Sequence, residues 1–167
     1  MKKILLVLLA LTVILCFAAC GRQNEDGTFP TSFTEGEKQV NIDTAYAKIH
    51  KLVEDNDPMD IRSDSLSTIY GIDEDLVKKA LGISFTVPDA AFPGEAIMIE
   101  APDKESAEKV AAAIKAHRDG ILTQSKSYDK ITYNLVSECD VITQGNTVGF
   151  FFSDKHEDME KYFKGEK

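Results

Sequence analysis

The sequence predicts an α+β domain: a small, largely antiparallel sheet of about four strands, with helices packed mainly on one face. Three observations lead there. Two pairs of short apolar segments, within residues 83–101 and 135–152, are each joined by a short loop, which favours antiparallel neighbours. A long stretch with helical periodicity separates the pairs, and further helical stretches stand before and after them. Strands that come in pairs between helices belong to α+β folds rather than to a regular βαβ order.

The first helix is expected over 41–54, where Ile42, Tyr46, Ile49 and Val53 recur at helical spacing and Asn41 or Asp43 can cap the start. Asp57-Pro58 breaks the chain. Residues 59–71 read equally as a turn of helix or a short extended piece. A short second helix is expected after Asp73, with Glu74 and Asp75 in its first turn and Gly82 closing it. Ile83, Phe85 and Val87 alternate with polar residues as a half-buried strand does. Pro88–Gly94 is a loop. Residues 96–101 are apolar on both faces except at Glu100, so this strand should be central.

Asp103 then opens the longest helix, 104–125, with Ala107, Val110, Ala111, Ile114, Ile121 and Leu122 as its buried stripe. Residues 135–143 read as a strand with Leu135, Cys139 and Val141 inward. Gln144-Gly145-Asn146 is a hairpin turn. Val148, Phe150 and Phe152 share one face of the next strand, with Phe151 on the other. Asp154 and Glu157 have capping-box spacing for a last helix ending near Gly165.

Ahead of this domain, Lys2-Lys3, an apolar run from Ile4 and the small residues Ala18-Ala19 before Cys20 have the order of a secretory leader with its cleavage site. The run is shorter than the roughly 20 apolar residues a membrane span needs. The junction resembles the lipobox of bacterial lipoproteins, with Phe17 where that pattern usually has Leu. The resemblance implies a diacylglyceryl group on the Cys20 thiol, and two acyl chains hold a protein where one does not. Residues 1–19 are then the leader, 20–40 the lipidated cysteine and a Gly-, Ser-, Thr- and acid-rich tether, and 41–167 the domain. As a random coil the tether spans about 25 Å.

Losing Lys2 and Lys3 with the leader takes the formal charge from −9 to about −11. Such a surface repels phosphate backbones and anionic headgroups, so no nucleic-acid partner is expected and membrane attachment falls to the anchor. Cys16 leaves with the leader and Cys20 is the lipid site, so Cys139 stands alone and the domain depends on its core rather than on a disulfide.

The run from Tyr70-Gly71-Ile72-Asp73, through Gly94-Glu95-Ala96-Ile97-Met98-Ile99-Glu100, the helix carrying Arg118 and Gln124, and Tyr128, to Gly149-Phe150-Phe151-Phe152-Ser153 resembles an uncharacterised family. This is the domain of unknown function numbered 4358, found in small lipoproteins of Firmicutes. The resemblance spans roughly 40–165 and implies a membrane-anchored extracytoplasmic lipoprotein. It carries no catalytic residues over.

A search for chemistry yields exclusions first. His156-Glu157 begins like a zinc-protease motif, but Glu160 stands where the second imidazole must be. The carboxylates of Asp55, Asp57 and Asp60 lack the Gly and Glu positions of an EF-hand loop and otherwise suit only a loose calcium site. Cys139, between Glu138 and Asp140 on an inward face, reads as a buried thiol rather than a nucleophile toward His117 or His156. No catalytic residue, metal or cofactor is assigned. Arg118, four residues after Ile114 and so beside the apolar stripe, is expected to pair with Glu95 or Glu100, to lay its stem over the core, or to recognise an anionic ligand. Phe92, in the loop before the central strand, is the candidate exposed apolar contact. The expected function is a lipid-anchored, non-catalytic binding module of the cell envelope, on the extracytoplasmic face, with an envelope protein or small ligand as partner. A surface hydrolase or transferase with a site hidden from sequence is the alternative.

Overall fold

The computed structural model describes residues 40–166. The leader, Cys20 and almost all of the tether lie outside them. Asn41 caps α1 (Ile42–Leu52), its side chain accepting from the Thr44 N–H at 3.0 Å. The chain then runs through β1 (Met59–Ile61), a single 3-10 turn at 63–65 and α2 (Leu66–Tyr70), so the ambiguous stretch 59–71 contains both an extended piece and a helix. Gly71, at φ 68°, supplies the left-handed residue that ends α2.

The helix expected after Asp73 is reduced to a 3-10 turn, Glu74–Leu76, and the chain becomes β2 (Lys79–Phe85) well before Gly82. Lys, Ala and Leu at 79–81 favour a helix locally, but pairing along the whole of β3 (Gly94–Glu100) outweighs that preference. Gly82 has a strand role instead. A Cβ there would come within 2.6 Å of Ile97 and 3.0 Å of Ile61, so its lack of a side chain lets the neighbouring residues close over it.

α3 (Lys104–Ser125) has the expected bounds, with Asp103 accepting from the Ser106 N–H at 2.8 Å. The strand expected over 135–143 is corrected. Residues 130–138 form a helix, α4 (Lys130–Glu138), and only Val141–Gln144 forms a strand, β4. Asp129 decides this. Its carboxylate takes the N–H groups of Ile131 and Thr132 at 3.1 and 3.0 Å and the Thr132 hydroxyl, which fixes a helix start that β-branched residues obscure. The same carboxylate accepts from the Ala91 N–H at 2.7 Å and ties the 88–93 loop to α4. These donors hold its pKa below the ordinary carboxylate value, the Thr132 hydroxyl most of all.

Gly145, at φ 58°, turns the chain from β4 into β5 (Thr147–Phe152). α5 (His156–Lys164) ends at Gly165 as expected, but the capping box does not form. Ser153 takes that place, its hydroxyl accepting from the Lys155 N–H at 3.0 Å.

Among the described residues all the pairings are antiparallel, in the order β1-β2-β3-β5-β4, which gives five strands where four were expected. β3 is central, and both of its faces are covered. Ile97 and Ile99 join Val148, Phe150 and Phe152 under α2, α3 and α4. Ala96 and Met98 join Ile83, Phe85 and Phe151 against α1 and α5, where Phe151 meets Phe163 edge-on at 5.6 Å. Three helices thus lie on one face, α2, α3 and α4, and α1 and α5 cover the other. A strand that is apolar on both faces needs cover on both, since each fully buried Ile, Met or Phe contributes roughly 1.5–3 kcal/mol. Among the described residues no helix is long and apolar enough to cross a membrane.

Candidate functional site

The principal polar cluster inside the fold joins three elements. β3 starts at Gly94, so Glu95 lies within the strand, on the face of Ile97 and Ile99. Its side chain is only 9% exposed. One carboxylate oxygen, Oε2, accepts from the Tyr70 hydroxyl of α2 at 2.7 Å, and Oε1 lies 2.7 Å from His117 Nε2 of α3. The Tyr70 and His117 rings meet edge to face at 4.7 Å.

Burial acts to lower the His117 pKa, but the Glu95 hydrogen bond, the Glu95 charge and the Ile69 carbonyl outweigh it and leave the value raised above 6.5. Burial first, then the charge of Glu95, push the Tyr70 phenol far above its ordinary value, so it stays a donor. A carboxylate holding an imidazole is half of a catalytic triad, but here the third member is a phenol that donates to the same carboxylate. The arrangement binds α2 and α3 to the sheet rather than activating a nucleophile.

At the other end of β2 and β3 from Glu95 lies a groove of about 480 Å³. Ser63, Asp64 and Leu66 form one side, Ile72, Glu74 and Val77 another, and Lys78, Lys79 and Ala80 at the start of β2 a third. Leu66 and Ile72 are buried and make an apolar floor. The rim carries charge: Arg62 pairs with Asp64 at 2.6 Å and Lys78 with Glu100 at 2.5 Å, while the Lys79 side chain turns to the α1 face and pairs with Asp43 at 2.5 Å. Its volume falls in the range of small-molecule and peptide sites.

A family model for a domain of unknown function, DUF4358, matches residues 51–153. The chain belongs to the DUF4358 family. No curated protein and no solved structure matches it. The matched span of this DUF4358 domain holds the whole sheet, the Tyr70–Glu95–His117 cluster and the groove, whereas α5 and nearly all of α1 fall outside it.

The residues singled out from sequence fare differently in the DUF4358 domain. Arg118 pairs with neither Glu95 nor Glu100. Its Nε donates to the Cys139 carbonyl and Nη2 to the Ser137 carbonyl at 3.3 Å, with Asp119 and Asp140 alongside at 3.2 and 3.5 Å. It closes the C-terminal end of α4, a structural task that engages its guanidinium. The reason it misses Glu95 is angular. Consecutive residues on a helix point about 100° apart, so His117 faces β3 while Arg118 faces α4.

Phe92 is not an exposed loop tip. It is half-buried against the core on the α3 side of the sheet. The exposed large apolar side chains among the described residues are Met59, Ile69, Tyr128 and Ile131. Cys139 is buried, its thiol donating to the Leu135 carbonyl at 3.2 Å, and burial pushes its pKa up to about 11. His156 sits 3.0 Å from the Ser153 carbonyl at the start of α5. Asp60 accepts from the Tyr46 hydroxyl, and among the described residues Asp55, Asp57 and Asp60 do not form a group that could hold a metal ion. Cys20 lies outside the described residues.

Sequence reasoning left out Tyr70 and misplaced the partner of Glu95. The available signal was a lone acid, Glu95, at the head of a run that is otherwise apolar as far as Ile99. A carboxylate in such a run must find donors or remain costly to bury.

Proposed function

We propose that this chain is a lipid-anchored extracytoplasmic lipoprotein of the bacterial cell envelope, and that its domain is a non-catalytic binding module working through the groove between residues 63–66, 72–77 and 78–80. The observation that carries the binding reading is that groove, with its buried apolar floor and charged rim. The floor offers a surface for an apolar side chain or small ligand, and the rim supplies orientation through charged ends that can exchange partners. The anchor reading rests on the order Lys2-Lys3, apolar run, Ala18-Ala19-Cys20. Binding is favoured over surface hydrolysis because both Glu95 carboxylate oxygens are spent on Tyr70 and His117.

In-cell crosslinking of the tagged full-length protein, followed by mass spectrometry, tests the module. The expected result is one envelope protein recovered near stoichiometrically and lost in Ser63→Trp, which fills the groove from an exposed rim position. Recovery that is unchanged in that variant, or no specific partner, overturns the protein-binding reading. Cys20→Ala is expected to move the protein from the detergent to the aqueous phase on phase partition, and retention in detergent removes the anchor.

A further inference from the structure

We infer that the groove takes its partner as an extended peptide segment, which pairs with the outer edge of β2 at Ala80, seats one apolar side chain on the floor and sets a lysine or arginine against Glu74. This deepens the reading of the groove as the binding surface and rests on it.

All seven residues of β2 pair with β3 on one side. On the other side β1 covers only Gly82, Ile83 and Ser84. Continued past Ile61, the same register would set Ser63 opposite Ala80, but the chain leaves the sheet there for the 3-10 turn at 63–65. Ser63 and Ala80 line the groove instead. The groove therefore lies where the next rung of the ladder would have been.

In an antiparallel ladder the hydrogen-bonding groups of successive residues face opposite sides. Farther along this edge the Thr86 N–H donates to the Asn56 carbonyl at 2.8 Å, and the Thr86 carbonyl accepts from Asn56 Nδ2 at 3.1 Å, so Thr86 faces outward. Counting back by twos, Ser84, Gly82 and Ala80 face outward as well. The opposite side of β3 agrees. The Ala101 N–H donates to the Asn146 carbonyl at 2.9 Å, which turns Ile99 and Ile97 toward β5 and leaves Met98 and Glu100 to bond Leu81 and Lys79. Lys78 turns its N–H inward, to the Glu100 carbonyl at 2.8 Å. The Ala80 N–H and carbonyl have no partner among the described residues.

A strand laid on this edge exchanges two hydrogen bonds with Ala80. Its facing residue shares the face of the Ala80 side chain, where Leu66, Ile72 and Val77 also lie. The small alanine leaves space for a larger side chain there. The residues two positions away point to the same face, and charge decides what they are. Asp64, Lys78 and Lys79 each have an ion pair, whereas Glu74 has none among the described residues. A cation on the peptide complements it. Main-chain pairing then gives affinity and the alternate side chains give selectivity.

The probe is the blocked peptide acetyl-Lys-Thr-Leu-Thr-Lys-amide, whose two lysines serve either strand direction, titrated into the isotope-labelled full chain and followed by NMR. In the free chain the Ala80 amide should exchange fast beside a slow Leu81, and a protected Ala80 shows the edge already taken and overturns the inference. The probe should shift the Ala80 amide and slow its exchange. Methylating the leucine nitrogen should weaken binding about fivefold or more, the scale of one hydrogen bond. Ala80→Pro removes the outward donor but leaves the ladder to β3 whole, so it should lose the probe with little change in urea midpoint. Should that variant fail to fold, the methylated peptide decides. Glutamate in place of both lysines should bind more weakly, and the difference should close in Glu74→Gln; a difference that persists overturns the pairing with Glu74. Equal binding of the methylated peptide, or an unmoved Ala80 amide, overturns strand pairing and leaves the groove as the binding surface. No binding of the probe at millimolar concentration also overturns the inference, while the groove itself is decided by crosslinking in Ser63→Trp.

Discussion

Truncating Arg118 to alanine removes the cation that closes α4. The side chain is 14% exposed and donates to the Cys139 carbonyl and, at 3.3 Å, to the Ser137 carbonyl. A hydrogen bond from a charged donor contributes about 1.5–3 kcal/mol, and a cation at a helix C-terminus adds about 0.3–1 kcal/mol. The Asp119 and Asp140 partners are 46% and 82% exposed, so those pairs add little. Arg118→Ala should therefore cost about 2–4 kcal/mol. Arg118→Lys keeps the charge but has no planar fork to span two carbonyls, and should recover about half. Urea unfolding followed by circular dichroism measures this directly. With a slope of about 1–3 kcal/mol/M, the alanine midpoint should drop by one to two molar or thereabouts with the slope unchanged. A loss under about 1 kcal/mol, or a lysine variant no better than alanine, would refute the structural assignment and return Arg118 to the ligand-binding role.

Three further outcomes follow from the packing and from His117. Gly120 lies in α3 with nothing within 4 Å of an added Cβ, so Gly120→Ala should stabilise by about 1 kcal/mol in the same urea assay. At Gly94 a Cβ would meet Phe85 at 2.4 Å and the Phe152 carbonyl oxygen at 2.9 Å, so Gly94→Ala should destabilise by about 1–3 kcal/mol, and a neutral result would show that the strands can part there. The folded His117 pKa lies above 6.5, so the stability it confers is complete below about 6.5 and is lost as pH rises through the folded value. Differential scanning calorimetry at stepped pH should show the melting temperature declining across that window in the wild type. The His117 share of that decline should vanish in His117→Gln.

Much of the fold could be read before any coordinates because local signals agreed with the tertiary demand. Asn41 and Asp103 mark their helices in sequence and cap them in space. Glycine at 145 predicts the turn it makes, and the alternation of Phe150, Phe151 and Phe152 assigns them to opposite faces as observed. The failures share one cause. Residues 77–82 have helical composition but complete the edge of a seven-residue ladder, while Ile131, Thr132 and Val136 have strand composition but follow a strong cap at Asp129. In both places a partner distant in sequence overrode local preference. The polar cluster was half legible. The sequence offers Glu95 as one of two acids for Arg118, whereas its partner on α3 is the preceding residue, His117, because a single sequence does not reveal which side of a helix meets a strand.

The closing of the sheet's second face joins the two ends of the domain. α1 comes first and α5 last, yet they bury the same cluster, and the Lys155 ammonium donates to the Leu52 carbonyl at the end of α1 across 103 positions of sequence. During synthesis α1 emerges roughly a hundred residues before the helix that covers its apolar side, which at about 5–20 residues per second is a wait of several seconds. Through that interval Ile42, Ala45 and Ile49 have no α5 to pack beside, and Ala96 and Met98, made about halfway through it, wait with them. The nascent domain is thus sticky on one flank until its final turn is made. A chain cut just before His156 would leave that flank exposed for its lifetime.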